Sequence, residues 1–354
     1  MIDVVIATLA TATAMGQQEY EQQLLHHLPA AAPELAVRRV RVRSLRSDLP
    51  GEARLPLNAI ARAPGPVRLL AARLAYGRTR LVHRCDLRLP PARHEVVTVH
   101  DLAPLRFPDE GVIPAGTADA LRRSRAVVCP SQFTADEVAA LLGVPGATVI
   151  HNGLDPLVWT PVVDGASMIV PLRLPTRLVL HSGGATRRKN LAGLARAWAL
   201  LAAELPEVGL VLCGPPDPRR DAQFSGLPRV HALGRVPRQT HLALMDAAEV
   251  VVVPSTYEGF GFPALEAMAR GTAVVAAECG SLPEVCGDAA LLSAPDGAAL
   301  AAALRTLLTD RAVREDLAAR GPARAQEFTW ERCAERHAAV LRAALGPAPA
   351  EVAP

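Results

Sequence analysis

Two doubly wound α/β domains in tandem, joined by a proline-rich segment, are what this sequence predicts. Three observations carry that expectation. The chain has 354 residues, more than one domain of ordinary size at ~150 residues each. Short, near-continuous apolar runs bounded by turn residues alternate with longer amphipathic segments. Strands of that kind belong to parallel sheets covered on both faces. The alternation also runs through once, breaks over residues 155–175 with their four prolines and one glycine, and then runs through again.

The first series begins with an apolar run at 4–9, then a helical pattern over 17–28. A strand at 37–45 alternates Val40, Val42 and Leu45 with arginines 38, 39, 41, 43 and 46. Those arginines read as the exposed face of a strand, or else as a surface for an anionic acceptor or membrane headgroups. A helix at 67–74 precedes a strand at 96–100; a helix at 115–123 precedes a strand at 126–129. Thr134-x-x-Glu137 reads as a capping box opening a helix to 142, and a short strand follows at 148–150. The second series places strands at 178–182, 209–213, 229–233, 250–253, 273–276 and 290–292. Helices are expected at 190–204, 240–247, 263–269, 298–308, 311–320 and 330–345. The domains so defined are 1–157 and 165–327, with 346–354 expected to be a disordered tail.

Composition narrows the function. Half of the residues are apolar and 21% charged, the balance of a folded globular chain. A net charge of +3 and a pI near 8.7 are too mild to call for nucleic acid. The six cysteines contain no CxxC pair, so neither zinc nor redox motif is visible, and scattered thiols suit a reducing compartment. The opening MIDVVIATLATATAMG has the apolar run of a signal peptide but carries Asp3 and no basic residue, so it reads as a first strand. No apolar stretch reaches the ~20 residues that span a membrane. The expectation is a cytoplasmic protein, with peripheral contact at the inner membrane face left open. Oligomeric state has no signal.

Ligands of open α/β sheets sit beyond the carboxyl ends of the strands, in this case in the cleft expected between two such domains. After the strand at 250–253 comes PSTYEGFGFPALEAMAR. Gly259 and Gly261 suit close backbone approach and positive φ. Pro263 suits a first helical turn, and the helix start is an anion site. Glu266 taken alone compensates the helix dipole. With Glu258 it makes two carboxylates beside an anion site, which suits hydroxyls, and a nucleotide-sugar supplies both hydroxyls and anion. After the strand at 178–182 comes HSGGATRRKN, where Arg187, Arg188 and Lys189 oppose a helix dipole unless a diphosphate offsets them. His100 and Asp101 follow the strand at 96–100, where His100 is either a ligand contact or a satisfied structural histidine. Gly16 offers a single-glycine phosphate approach. No Asp-x-Asp pair is present, and HEVVTVH is not HExxH, so no metal site is expected.

Glu258-x7-Glu266 within YEGFGFPALEAMARGTAVVAAECGSLPEV resembles the retaining glycosyltransferases of family 4, which have the GT-B fold. RRKN, LGRVPRQTHLALMDAAEVVVVPS, TVHDLAPLRFP, CPSQFTADEV and HNGLD support the likeness, which spans most of the chain. It implies two Rossmann-like domains facing a central cleft, with FTWER opening a C-terminal crossover helix that packs back on the first domain. It implies that Glu266 binds the donor ribose and Glu258 faces the transferred sugar. Backbone at Gly261 and Phe262 would meet sugar hydroxyls, and that at Ala264 and Leu265 the phosphate. Arg188 and Lys189 would hold the leaving diphosphate, backbone at Arg235 and Val236 the base, and His100 the sugar. Relatives carry a glycine-rich loop before the first helix, and Gly16 stands in its place here within the bulkier MGQQEY. TVHDL with RKN resembles bacterial mannosyltransferases, which points to GDP-mannose as donor. The acceptor would be a saccharide, a lipid-linked sugar or a natural product, with no cofactor and no metal. Two other readings stay open: an epimerase or hydrolase on this scaffold using the glutamates as an acid/base pair, and a silent nucleotide-sugar binding protein.

Overall fold

A computed structural model describes residues 3–11 and 16–346. The chain forms two compact units, Met1–Gly153 with Thr329–Pro354, and Leu154–Phe328.

The first unit opens with β1 (Val4–Leu9), α1 (Gly16–Ala31) and β2 (Val37–Ser44). Then come β3 (Ala53–Leu55), α2 (Leu57–Arg62), α3 (Gly65–Tyr76), β4 (Leu81–Arg84) and β5 (Glu95–Thr98). It continues with α4 (Ala103–Arg106), α5 (Thr117–Arg123), β6 (Ala126–Cys129), α6 (Gln132–Leu142) and β7 (Thr148–Val149). The strands form one parallel sheet in the order β3-β2-β1-β4-β5-β6-β7. The sequence foretold five of these seven strands. It hid β4 because two of its four residues are His83 and Arg84, both buried. They are tolerated in a central strand because Arg84 forks onto Glu95, Nε to Oε2 and Nη2 to Oε1 each at 3.0 Å. The capping box also falls differently. Ser131 caps α6, its Oγ accepting from the Thr134 N–H at 3.1 Å. Thr134 therefore lies inside the helix, and Glu137 pairs with Arg106 at 2.5 Å. Gly16 is the first residue of α1; the rest of the approach loop, 12–15, and the tail 347–354 lie outside the described residues.

The second unit begins within the stretch read as a linker. A 3-10 turn at Pro156–Trp159 and α7 (Gly165–Ile169) occupy it, because Val158, Val162 and Ile169 pack into the core of this unit. There follow β8 (Arg177–Ser182), α8 (Leu191–Leu201), β9 (Val208–Cys213), α9 (Pro218–Phe224), β10 (Val230–Gly234) and α10 (Arg238–Ala247). The series continues with β11 (Val250–Val253), α11 (Phe262–Ala269), β12 (Ala273–Ala277), α12 (Leu282–Cys286) and β13 (Leu291–Ser293). Two helices end the unit, α13 (Gly297–Thr309) and α14 (Arg311–Ala325). All six strands stand within a residue of expectation at either end. They are parallel in the order β10-β9-β8-β11-β12-β13. Strand order reverses between β8 and β11, which makes the loops after these two neighbours the binding position of the sheet.

The last helix among the described residues is α15 (Trp330–Leu345), which belongs to the first unit and packs on α1. A directed hydrogen-bond chain fastens it. His337 Nδ1–H donates to the Cys333 carbonyl at 2.8 Å, leaving Nε2 to accept from the Tyr20 hydroxyl at 2.8 Å. Tyr20 in turn accepts from Thr98 Oγ1 at 2.9 Å, and Thr98 from His83 Nε2–H at 2.8 Å. Every member is buried, and every link is satisfied except at the far end, where His83 Nδ1 has no partner among the described residues.

Candidate active site

The loops after β8 and β11 meet at the reversal point of the second unit. Asn190 holds them. It sits at φ +52, caps α8 by accepting from Gly193 N–H at 3.2 Å, and donates Nδ2–H to the carbonyls of Pro254 and Pro295 at 2.9 and 2.7 Å. One asparagine thus ties together the segments after β8, β11 and β13. The Thr256 N–H donates to the Arg188 carbonyl at 2.8 Å and closes the gap between the first two.

The charged core of the site is Glu258. Lys189 Nζ lies 2.7 Å from its Oε1 and Arg188 Nη1 lies 3.0 Å from its Oε2. The carboxylate is 5% exposed. Burial alone would raise its pKa; Lys189 and then Arg188 outweigh that and hold it at about 2. Glu258 is therefore ionised throughout the physiological range. Its backbone is fixed too, since the carbonyl accepts from Ser281 N–H at 3.2 Å and Ser281 Oγ at 3.0 Å.

Gly261 caps α11 at φ +103, which a residue with a Cβ rarely adopts. Gly259, expected to share that conformation, is not among the positive-φ glycines. The N–H groups of Ala264 and Leu265 already share the Gly261 carbonyl at 3.1 and 3.3 Å. Among the described residues those of Gly261 and Phe262 have no backbone acceptor, so they are the open donors of this helix start. Glu266, one turn further in, is buried and forms a 2.7 Å ion pair with Arg238. Arg238 opens α10, separated from Arg235 and Val236 by Pro237 alone. The segment expected to meet the base and the carboxylate expected to read the ribose therefore adjoin.

Four residues of this site escaped the sequence reading. Arg238 carried a usable signal, because a cation at the first position of a helix opposes the dipole unless paired. Arg220 is buried and its guanidinium gathers the carbonyls of Gly183, Gly214 and Pro215, so it sets the turn after β8. Gly214 is obligatory beneath it, since an added Cβ would lie 1.9 Å from the Gly183 oxygen. His181 donates Nδ1–H to the Val252 carbonyl at 3.1 Å, and burial holds it neutral with a pKa of about 4. Neither Arg220 nor His181 stands in a pattern that local sequence would flag.

His100 lies in the first unit, two residues beyond β5. Its ring packs edge-on against Tyr20 with centroids 4.7 Å apart. Burial depresses its pKa to about 4, with Asp86 and a hydrogen bond to the Cys85 backbone opposing. Nε2 has no partner among the described residues. It is a neutral imidazole with one free acceptor lone pair.

Comparison with known proteins agrees with this geometry. Residues 4–156 match the profile of Glycosyltransferase Family 4, and residues 176–310 that of Glycosyl transferases group 1. The O-antigen chain mannosyltransferase B of Escherichia coli is 32% identical over 257 residues, 67% of each chain. Among solved structures, a sucrose-phosphate synthase from Thermosynechococcus elongatus superposes with a TM-score of 0.72 at 24% identity, covering 94% of this chain and 97% of that one. HepE of Anabaena, solved with UDP-glucose, gives 0.70 at 21% identity over 95% and 98% of the two chains. With both halves of the chain matched and the fold shared end to end, this protein belongs to the family 4 glycosyltransferases and has the GT-B fold.

Proposed function

We propose that the protein moves a hexosyl group, mannosyl from GDP-mannose, onto an acceptor hydroxyl with retention of anomeric configuration. The observation that carries this is the buried Glu258 bridging Arg188 and Lys189 beside the open N–H groups of Gly261 and Phe262. A nucleoside diphosphate supplies a second anion to the two cations, and its sugar supplies hydroxyls to Glu258 and the helix start. Glu266 accepts from ribose hydroxyls. In the transfer, the bond from the anomeric carbon to the phosphate oxygen breaks, and the acceptor oxygen bonds to that carbon on the same face. The acceptor proton passes to the leaving phosphate. Arg188 and Lys189 stabilise the charge growing on that diphosphate, and preorganised donors of this kind are worth about 2.7–4 kcal/mol each. The mannosyl choice is supported by the likeness to an O-antigen mannosyltransferase.

The hydrolase reading needs one of the two glutamates protonated as an acid. Glu258, held at about 2 by two cations, is unsuited to that role. The test is a turnover assay with GDP-mannose and UDP-glucose, each with and without an acceptor pool and with and without EDTA. Product anomers are read by NMR. Acceptor-dependent release of GDP, retention at the anomeric carbon and activity in chelator are the expected results. Acceptor-independent release of free sugar would favour the hydrolase. Loss of activity in chelator, restored by magnesium, would overturn the metal-independent form of the mechanism.

A further inference from the structure

A cavity of about 250 Å³ lies in the first unit beside the carboxyl ends of β1 and β2, lined by Thr8, Gln18, Glu21, Gln22, Arg39 and Arg41 among others. Strand geometry explains the arginines. In β2, Val40 and Val42 turn to one face and join the apolar cluster that includes Ala72 and Tyr76 of α3. Arg39 and Arg41 turn to the opposite face, in register with Ile6 and Thr8 of β1, towards α1. Arg39 is exposed there and Arg41 half-buried, so this face of β2 is open to solvent where a covered parallel sheet would bury apolar side chains.

Other arginines of the region are satisfied internally. Arg38 donates to the Tyr76 carbonyl at 2.8 Å and Arg43 to that of Ser47 at 2.8 Å. Arg39 and Arg41 are different: among the described residues neither guanidinium makes a hydrogen bond or an ion pair. Glu52 does not line the cavity, but its carboxylate accepts the Arg41 backbone N–H at 2.7 Å, and against burial that bond, with Arg39 and Arg41 adding to it, draws the carboxyl below its usual range. Glu21 does, but burial pushes its carboxyl up to about 8, with Asp86 adding to that and Gln17, Arg41 and Arg39 opposing. Near pH 7 the cavity therefore contains two cations, a neutral carboxyl that can donate, two amides and the hydroxyls of Thr8 and Thr11.

We propose that this cavity binds an oxyanion, phosphate or carboxylate, carried by a saccharide, with Arg39 and Arg41 on the anion and Gln18, Gln22 and Glu21 on neighbouring hydroxyls. Its volume falls just below the ~300–1,000 Å³ of drug-sized pockets, so it takes one small charged group with its ring rather than an oligosaccharide. Calling that ligand the acceptor rests on the transfer reading above; the anion site itself does not.

The anion can come from a soluble sugar phosphate or from a lipid phosphate, and the experiment separates them. The full chain is titrated with mannose and with mannose 6-phosphate, and sedimented with phosphatidylcholine vesicles with and without phosphatidylglycerol. Arg39→Gln/Arg41→Gln is treated identically. A preference for mannose 6-phosphate of about tenfold or more, the size of one charge-assisted contact, which the variant loses, supports a soluble anion. Anionic-vesicle capture lost in the variant supports a lipid one. If both behaviours are absent, or survive in the variant, the proposal falls. Glu21→Gln adds a readout that does not depend on removing the arginines. In wild type, mannose 6-phosphate affinity drops between pH 7 and about pH 9 as Glu21 ionises beside Asp86, Arg39 and Arg41; in Glu21→Gln that drop is reduced. An unchanged drop would remove Glu21 from the site. GDP binding, measured alongside, stays within about twofold in all variants. If GDP-mannose turnover is absent while sugar-phosphate binding holds, the transfer reading fails and the anion site stands.

Discussion

Glu258→Gln tests the charged core of the proposed donor site most directly. The substitution keeps the shape and removes the charge that Lys189 and Arg188 meet at 2.7 and 3.0 Å. Drawing a carboxyl from its ordinary 4.5 to about 2 corresponds to about 3 kcal/mol at 1.36 kcal/mol per pH unit. Breaking a buried pair from one side costs about 3–5 kcal/mol, which agrees. The sign is that of a depressed acid. Its stabilisation is complete above 4.5 and disappears as pH falls towards 2. At neutral pH, thermal unfolding of the second unit in Glu258→Gln is expected to drop by about 6–12 °C, at ~2–4 °C per kcal/mol for a domain of this size. Adding Lys189→Met to the variant should cost much less than Lys189→Met does alone, because the pair is already broken. GDP should raise the unfolding temperature of Glu258→Gln more than that of wild type, since its diphosphate then meets two unopposed cations. An unfolding temperature within about 2 °C of wild type at neutral pH would refute the triad as an energetic unit.

Arg188→Ala and Lys189→Ala should each lower kcat by about 10²–10³ through lost stabilisation of the leaving diphosphate; near-wild-type rates in both would move the anion elsewhere. Glu266→Ala should weaken GDP-mannose binding by about tenfold or more, the value of a charge-assisted hydrogen bond, with kcat on the bound complex little changed. Unaltered donor affinity in a titration would remove Glu266 from the ribose. His100→Ala should lower kcat/KM by about fivefold, the size of a neutral hydrogen bond to a sugar hydroxyl, while leaving GDP affinity within about twofold. Equal turnover would make His100 structural, and a large loss of GDP affinity would place it at the phosphates.

The second unit was legible because each of its strands has an apolar run, reaching pure valine in β11 and valine with alanine in β12. The juxtaposition of Arg188, Lys189 and Glu258 beside the start of α11, its candidate site, was legible because glycines, cations and carboxylates cluster at strand ends in adjacent sequence. The first unit was less so. β4 carries a buried ion pair and a histidine whose partners, Glu95 and Thr98, lie on another strand, and no local pattern announces such compensation. Arg220 was invisible for the same reason, since its role depends on three carbonyls gathered from two loops. The capping box failed because Ser131, three residues before Thr134, offered an equally good cap and the backbone took it.

The two cation clusters meet the same physical problem in opposite ways. At the proposed donor site, Arg188 and Lys189 are partly buried and resolve their charge internally on Glu258, and Arg238 does so on Glu266. A diphosphate arriving there shares cations that already have a partner, so part of its attraction is offset by what Glu258 gives up. The gain grows as bond breaking concentrates charge on the leaving oxygen, and an arrangement that favours the later state over the earlier one accelerates the chemical step. In the cavity beside α1, Glu21 is neutral and lends Arg39 and Arg41 no charge. Glu52, outside the cavity, offsets those two cations in part, the proposed ligand supplies the counter-charge within it, and nothing in that contact is held back for a transition state. A site built to bind and a site built to react thus differ in whether the protein provides its own anion within the site.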